Sequence, residues 1–204
     1  MSKIGILAGV ALVAAFAVSS AWAQQPQGQR VAGTIEKVDG NTVIVKSKDG
    51  AAQTVALTDK ALIVAVHKAS LADIKEGSYV GSGAVPQADG SQKAVEVHIF
   101  AESMRGTGDG HRDNWPGAPN GTMTNGAAGS PVTGVDGLTM MVKYKDGEKK
   151  IIVTPTTPIV RFEVSDKGVL KPGAAVTVPA ATKKPDGTFE TARINVGLDG
   201  VVPN

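Results

Sequence analysis

Apolar and polar residues alternate along most of this chain, in short runs closed by turn pairs. Thr42-Val43-Ile44-Val45-Lys46 stands between Asp39-Gly40 and Asp49-Gly50. A period of two puts Val43 and Val45 on one face and Thr42, Ile44 and Lys46 on the other. Asp-Gly is among the strongest short-range turn signals. The same reading predicts strands over 30–37, 52–57, 61–66, 78–85 and 92–99. Ser70-Leu71-Ala72-Asp73, stopped by Gly77, has capping-box spacing and predicts one short helical turn. The pattern is that of an all-β protein.

The pattern also repeats. Val38-Asp39-Gly40-Asn41-Thr42-Val43-Ile44-Val45-Lys46-Ser47-Lys48-Asp49-Gly50 returns as Val135-Asp136-Gly137-Leu138-Thr139-Met140-Met141-Val142-Lys143-Tyr144-Lys145-Asp146-Gly147. Ile74-Lys75-Glu76-Gly77 returns as Leu170-Lys171-Pro172-Gly173, and Asp89-Gly90 as Asp186-Gly187. Collinear units of this length are domains rather than solenoid repeats. The expectation is two tandem small OB-like β-barrels, over 30–100 and 132–200, each with one short helical turn. Closure suits such units because it removes unpaired strand edges. A Gly-rich linker over 101–131 joins them, too long and too rich in glycine to form part of a core. Met140 aligns with Val43 and is therefore expected in the core. His98 aligns with Asn195, so it points away from the core, beside Glu96; His67 reads as a residue of an exposed strand face.

The first residues follow a different rule. Lys3, the apolar run Ile4 to Val18 and then Ser19-Ser20-Ala21-Trp22-Ala23 read as a secretory signal peptide cleaved after Ala23. The run is too short and wrongly flanked for a membrane span. A flexible start over 24–29 follows, and no later stretch is apolar enough to be transmembrane. The expected location is the periplasm. There is no cysteine, so neither disulfides nor a lipid anchor at the cleavage site can form. Loss of Lys3 with the signal lowers the net charge from +2 to +1. A nearly neutral chain with 4% aromatic residues offers no electrostatic or stacking case for nucleic acid.

The order of residues from Gly33 to Val45, Leu71 to Val80 and Asp89 to Val97 resembles a known family. It is that of the small OB-like barrel domains of bacterial exported proteins grouped as domain of unknown function 5666. The first unit fits the pattern well. The second fits less well, because Ser165-Asp166-Lys167-Gly168 is a poorer cap. The resemblance implies a fold and an envelope location, and no activity.

The linker carries chemistry beyond a plain tether. It holds Met104, His111, Trp115 and Met123. One expectation is that Trp115 and Met123 plug a barrel end or pack between the domains. The other is a soft-metal site for Cu(I) made of Met104, His111, Trp115 and Met123, joined by His98. Thioether and imidazole suit soft cations, and an indole face adds a cation–π contact. The set is similar in kind to the His/Met/Trp site of small periplasmic copper chaperones, which are also OB barrels. Those ligands sit together on strands, whereas these are spread along a loop.

No catalytic motif is present. Ser82 between Gly81 and Gly83 is not a nucleophile elbow. Gly106-Thr107-Gly108-Asp109-Gly110 lacks the Lys-Ser/Thr ending of a phosphate loop, and Asp109 and Asp113 do not complete a calcium loop. The expected function is therefore a non-enzymatic binding or interaction protein of the envelope, whose partner is an envelope protein or a small ligand. The alternatives are a soft-metal (copper or silver) binding protein and a structural envelope protein.

Overall fold

A computed structural model describes residues 28–134 and 137–204. The expected signal at 1–23, residues 24–27 and the repeat positions Val135 and Asp136 lie outside the described residues. Thirteen strands form among them: β1 Gln29–Asp39, β2 Thr42–Lys46, β3 Ala52–Lys68, β4 Tyr79–Pro86, β5 Gln92–Phe100, β6 Gly110–Asp113 and β7 Thr122–Ala128. They continue with β8 Val132–Gly134, β9 Gly137–Tyr144, β10 Gly147–Val153, β11 Ile159–Ser165, β12 Ala175–Lys183 and β13 Phe189–Gly197. The only helical pieces among the described residues are single 3-10 turns at Leu71–Asp73, Glu102–Met104 and Lys167–Val169. The first has the expected box: the Ser70 N–H and hydroxyl both donate to the Asp73 carboxylate, at 2.9 and 2.8 Å.

β1, β2, β3, β13 and β12 close into a five-stranded mixed barrel. β1 pairs with β2 and β2 with β3, both antiparallel. β3 runs parallel to β13, β13 antiparallel to β12, and β12 antiparallel to β1. Gly40, at φ +58°, makes the two-residue reversal that pairs Asp39 with Thr42. Val31, Ile35, Val43, Val45, Val55, Ile194 and Val196 fill the interior and are at most 1% exposed.

This barrel is not closed within one repeat. Its first three strands come from the first copy and β12 and β13 from the second. The remaining strands of the first copy, β4 and β5, pair antiparallel with each other, and β4 also pairs with β7. From there the chain of hydrogen bonds runs β7 to β9, β9 to β10, and β10 back to β5 in parallel. This second circuit surrounds its own apolar cluster, including Val80, Val97, Met140, Val142 and Ile151. Met140, the partner of Val43 in the repeat, is buried as the alignment requires.

Tandem barrels confined to 30–100 and 132–200 are therefore not what the pairing shows: the copies have traded their C-terminal halves. The separate strands expected at 52–57 and 61–66 run together as β3, and its length permits the trade. The C-terminal part of β3 pairs antiparallel with β11, from Ile63 opposite Ser165 to Lys68 opposite Val160. The strands change partners across this seam. The stretch 101–131 is likewise not a plain linker. Its residues 122–128 form β7, hydrogen-bonded to β4, and Thr122 to Gly126 are all buried.

The exchange predicts that the connection between copies is dispensable once the chain has folded. A protease site inserted between the exposed Ser130 and the half-buried Pro131, cut in the folded protein, should leave two fragments that co-elute in native gel filtration and part only in denaturant. Fragments that separate without denaturant contradict the exchanged pairing.

Candidate functional site

Where the two circuits meet, β5 turns Glu96, His98 and Phe100 away from the apolar cluster that receives Val97 and Ile99. Registers show what shares this face. Gly83 lies opposite Glu96 on one side and Met123 on the other. Gly81 lies opposite His98 and Asn125. Directly opposed residues project to the same side, so Met123, Gly83 and Glu96 form one row and Asn125, Gly81 and His98 the next.

The glycines make room for aromatic rings. A Cβ on Gly83 would lie 2.5 Å from the Trp115 ring, and one on Gly117 would lie 2.1 Å from the same ring. The indole therefore rests between two bare backbones. Its own backbone is held by the Trp115 N–H donating to the Gly121 carbonyl at 2.8 Å. A Cβ on Gly81 would lie 2.7 Å from Asn125 Oδ1 and 3.0 Å from the Phe100 ring.

Glu96 and His98 are both 7% exposed and hydrogen-bonded to each other, Oε1 to Nε2. The other carboxylate oxygen of Glu96 accepts from the side-chain amide of Asn204. His98 stacks on Phe162 with centroids 4.5 Å apart, and Phe100 meets Phe162 edge-on at 5.4 Å. The Arg193 guanidinium carbon is 5.9 Å from the Phe162 centroid, and its Nε donates to Asn195 Oδ1 at 3.0 Å. Arg193 and Asn195 are the second copy's counterparts of Glu96 and His98, so the copies place different polar pairs around one phenyl ring.

Burial alone pushes the Glu96 carboxyl up. The His98 hydrogen bond and charge, the Asn204 amide and the charge of Arg30 outweigh burial and hold it below the ordinary carboxylate value of 4.5. Beside Glu96 opens a groove of about 840 Å³, walled by Leu71, Pro155, Pro158, Ile159 and Val201. A crevice of about 70 Å³ lies between Arg30, Trp115 and Asn204.

The five candidate ligands divide. His98, Trp115 and Met123 belong to the face just described. His111 does not: β6 pairs it with Thr124, on the other side of β7 from Met123. Its Nδ1 is 2.8 Å from Thr124 Oγ1, and its ring lies 6.3 Å from that of Tyr144. Burial first, then the charge of Lys149, lowers the His111 pKa. Met104 is 4% exposed and sits in the apolar cluster of Val64, Val66, Tyr79, Phe100 and Phe162. Among the described residues no three His, Cys, Asp or Glu side chains gather as a metal would need. His98 lies beside Glu96 as the alignment of the copies implies. It is buried, however, because β11 and the segment ending in Asn204 come to lie near it. Ser82 is fully buried with no partner for its hydroxyl.

Glu96 and Asn204 escaped the sequence reading as site residues. The alternation Glu96, His98, Phe100 gave a shared face, but nothing in one strand announces what covers it. No protein-family model matches the chain, and no curated protein or solved structure matches it.

Two outcomes follow. Gly83→Ala should displace Trp115, changing its emission and costing about 1–3 kcal/mol in chemical denaturation; unchanged emission contradicts the indole's position. The lowered Glu96 value means that the folded state gains stability above the unfolded value and loses it as pH falls through the folded one. Glu96→Gln should therefore cost about 1–3 kcal/mol at neutral pH. It should also flatten the fall in Tm below pH 4.5; a variant with the parent's acid profile contradicts this.

Proposed function

We propose that this chain is an exported, non-enzymatic binding protein of the bacterial envelope, built as two OB-like barrels with exchanged halves and binding at their junction. The carrying observation is the buried Glu96–His98 pair at the edge of the 840 Å³ groove, where the second copy has Arg193 and Asn195 instead. The polar pair differs between the two copies, which makes this point of the junction unlike its counterpart. The volume is that of a small-molecule site, and such sites combine apolar walls with few polar groups. The full burial of Ser82 speaks against that one serine as a nucleophile. Export rests on residues 1–23, and kinship with domain of unknown function 5666 on the order of sequence motifs.

Amide hydrogen exchange of the chain, with and without a concentrated small-molecule extract of bacterial periplasm, tests the junction. Slowed exchange is expected over 68–72, 155–160 and 199–202. Protection confined elsewhere overturns the site, and none at all favours the purely structural alternative. For export, the protein recovered from a bacterial periplasm should begin at Gln24 by mass spectrometry; a retained Met1 contradicts the signal peptide.

A second reading, Cu(I) or Ag(I) binding, is favoured by one observation: Trp115, Met123 and His98 belong to one face. Titration with Ag(I) should then quench Trp115, with His98→Ala and Met123→Ala weakening binding at least about tenfold. His111→Ala should leave it unchanged. No quenching, or equal loss in all three variants, counts against this reading.

A further inference from the structure

We propose that the groove beside Glu96 takes an organic cation with an apolar body, an alkyl- or arylammonium whose head pairs with the Glu96 carboxylate. The inference rests on the junction reading and names the ligand class. Glu96 is 7% exposed, and its direct partners are an imidazole and an amide. Among the described residues, no Lys or Arg nitrogen lies within 4 Å of it. A carboxylate taken out of water is costly unless a full opposite charge sits beside it. The charge of His98 beside it and that of Arg30 from farther away hold it ionised, so a negative group lines the groove.

The groove that reaches this carboxylate can supply the rest of a cation's needs. Leu71, Pro155, Pro158, Ile159 and Val201 offer apolar wall to an alkyl or aryl body. Ser70, Thr156 and Thr157 also line it, and a hydroxyl oxygen can accept from an ammonium hydrogen. Lys68 and Asp199 are exposed and oppose one another in charge at the rim, so neither sets the sign of the site. Glu96 at its edge does, and it is negative. An organic anion would meet Glu96 directly. A bare divalent ion would find one carboxylate and one imidazole, too few ligands for a closed site. The second copy repeats the face with Arg193 where the first has Glu96, so it offers no equivalent cation site.

Calorimetry on the chain from Gln24 to Asn204 tests this with hexylammonium, hexanol and hexanoate, three probes that share a body and differ in head. Hexylammonium should bind in a single step, at least about tenfold more tightly than hexanol or hexanoate, as expected for a hydrogen bond to a charged group. Glu96→Gln should remove that preference without changing hexanol binding. Val202, 69% exposed at the groove, gives a variant that leaves the core intact. Val202→Lys should weaken hexylammonium about threefold and spare hexanol. Hexylammonium binding no better than hexanol, or indifferent to both substitutions, overturns the cation assignment, and so does the absence of binding by any probe. Hexanol that binds equally and protects 155–160 from exchange would sink the cation class while leaving the junction as a site.

Discussion

The antiparallel pairing of β3 with β11 holds the rest of the molecule in place. β3 is long enough to close the first barrel with one end and to leave it with the other. The departing end, Ile63 to Lys68, finds β11 on one edge while β13 continues along the other. Val64 and Val66 on β3 and Phe162 on β11 are buried together there. Each such side chain contributes about 1.5–3 kcal/mol on leaving water. Separating the circuits would expose that layer and leave the backbone groups of both strands without partners, which neither circuit could replace by itself.

The same seam explains the polar pair. Phe162 reaches His98 by stacking and lies under the Arg193 guanidinium, so one ring links the Glu96 side of the junction to its counterpart in the second copy. Glu96 is surrounded by groups from distant parts of the chain: His98 on its own strand, Asn204 from beyond β13, and Arg30 from β1. Desolvation offsets part of the attraction in a buried pair, so removing one partner costs more than the intact pair contributes.

Glycine governs the other half of the site. Residues 101–131 look like a tether because glycine is frequent there. In the fold the glycines are used for close approach: Gly117 and Gly83 admit the Trp115 ring, and Gly126 lets β7 pass within 2.2 Å, at its notional Cβ, of the Lys143 carbonyl. The glycine that signals flexibility in composition serves here to let backbone and ring touch. Thr122 to Ala128 hold no strong apolar alternation that would predict β7; its burial comes from the strands on either side.

Period-two alternation, Asp-Gly turns and capping-box spacing are local, and they were enough to read an all-β chain, the β2 hairpin and the turn at Ser70; the alignment with Val43 put Met140 in the core. The repeat was equally legible, as was the shared face of Glu96 and His98. Which half of each copy would pair with which was not. Strand pairing is decided by edges and buried faces far apart in the chain, and both the contiguous and the exchanged arrangement satisfy the same alternation. The same limit held for the candidate ligands. Their types could be read, but only the tertiary structure set His98, Trp115 and Met123 on one face, sent His111 to the other through the register of β6 on β7, and put Met104 into the aromatic cluster.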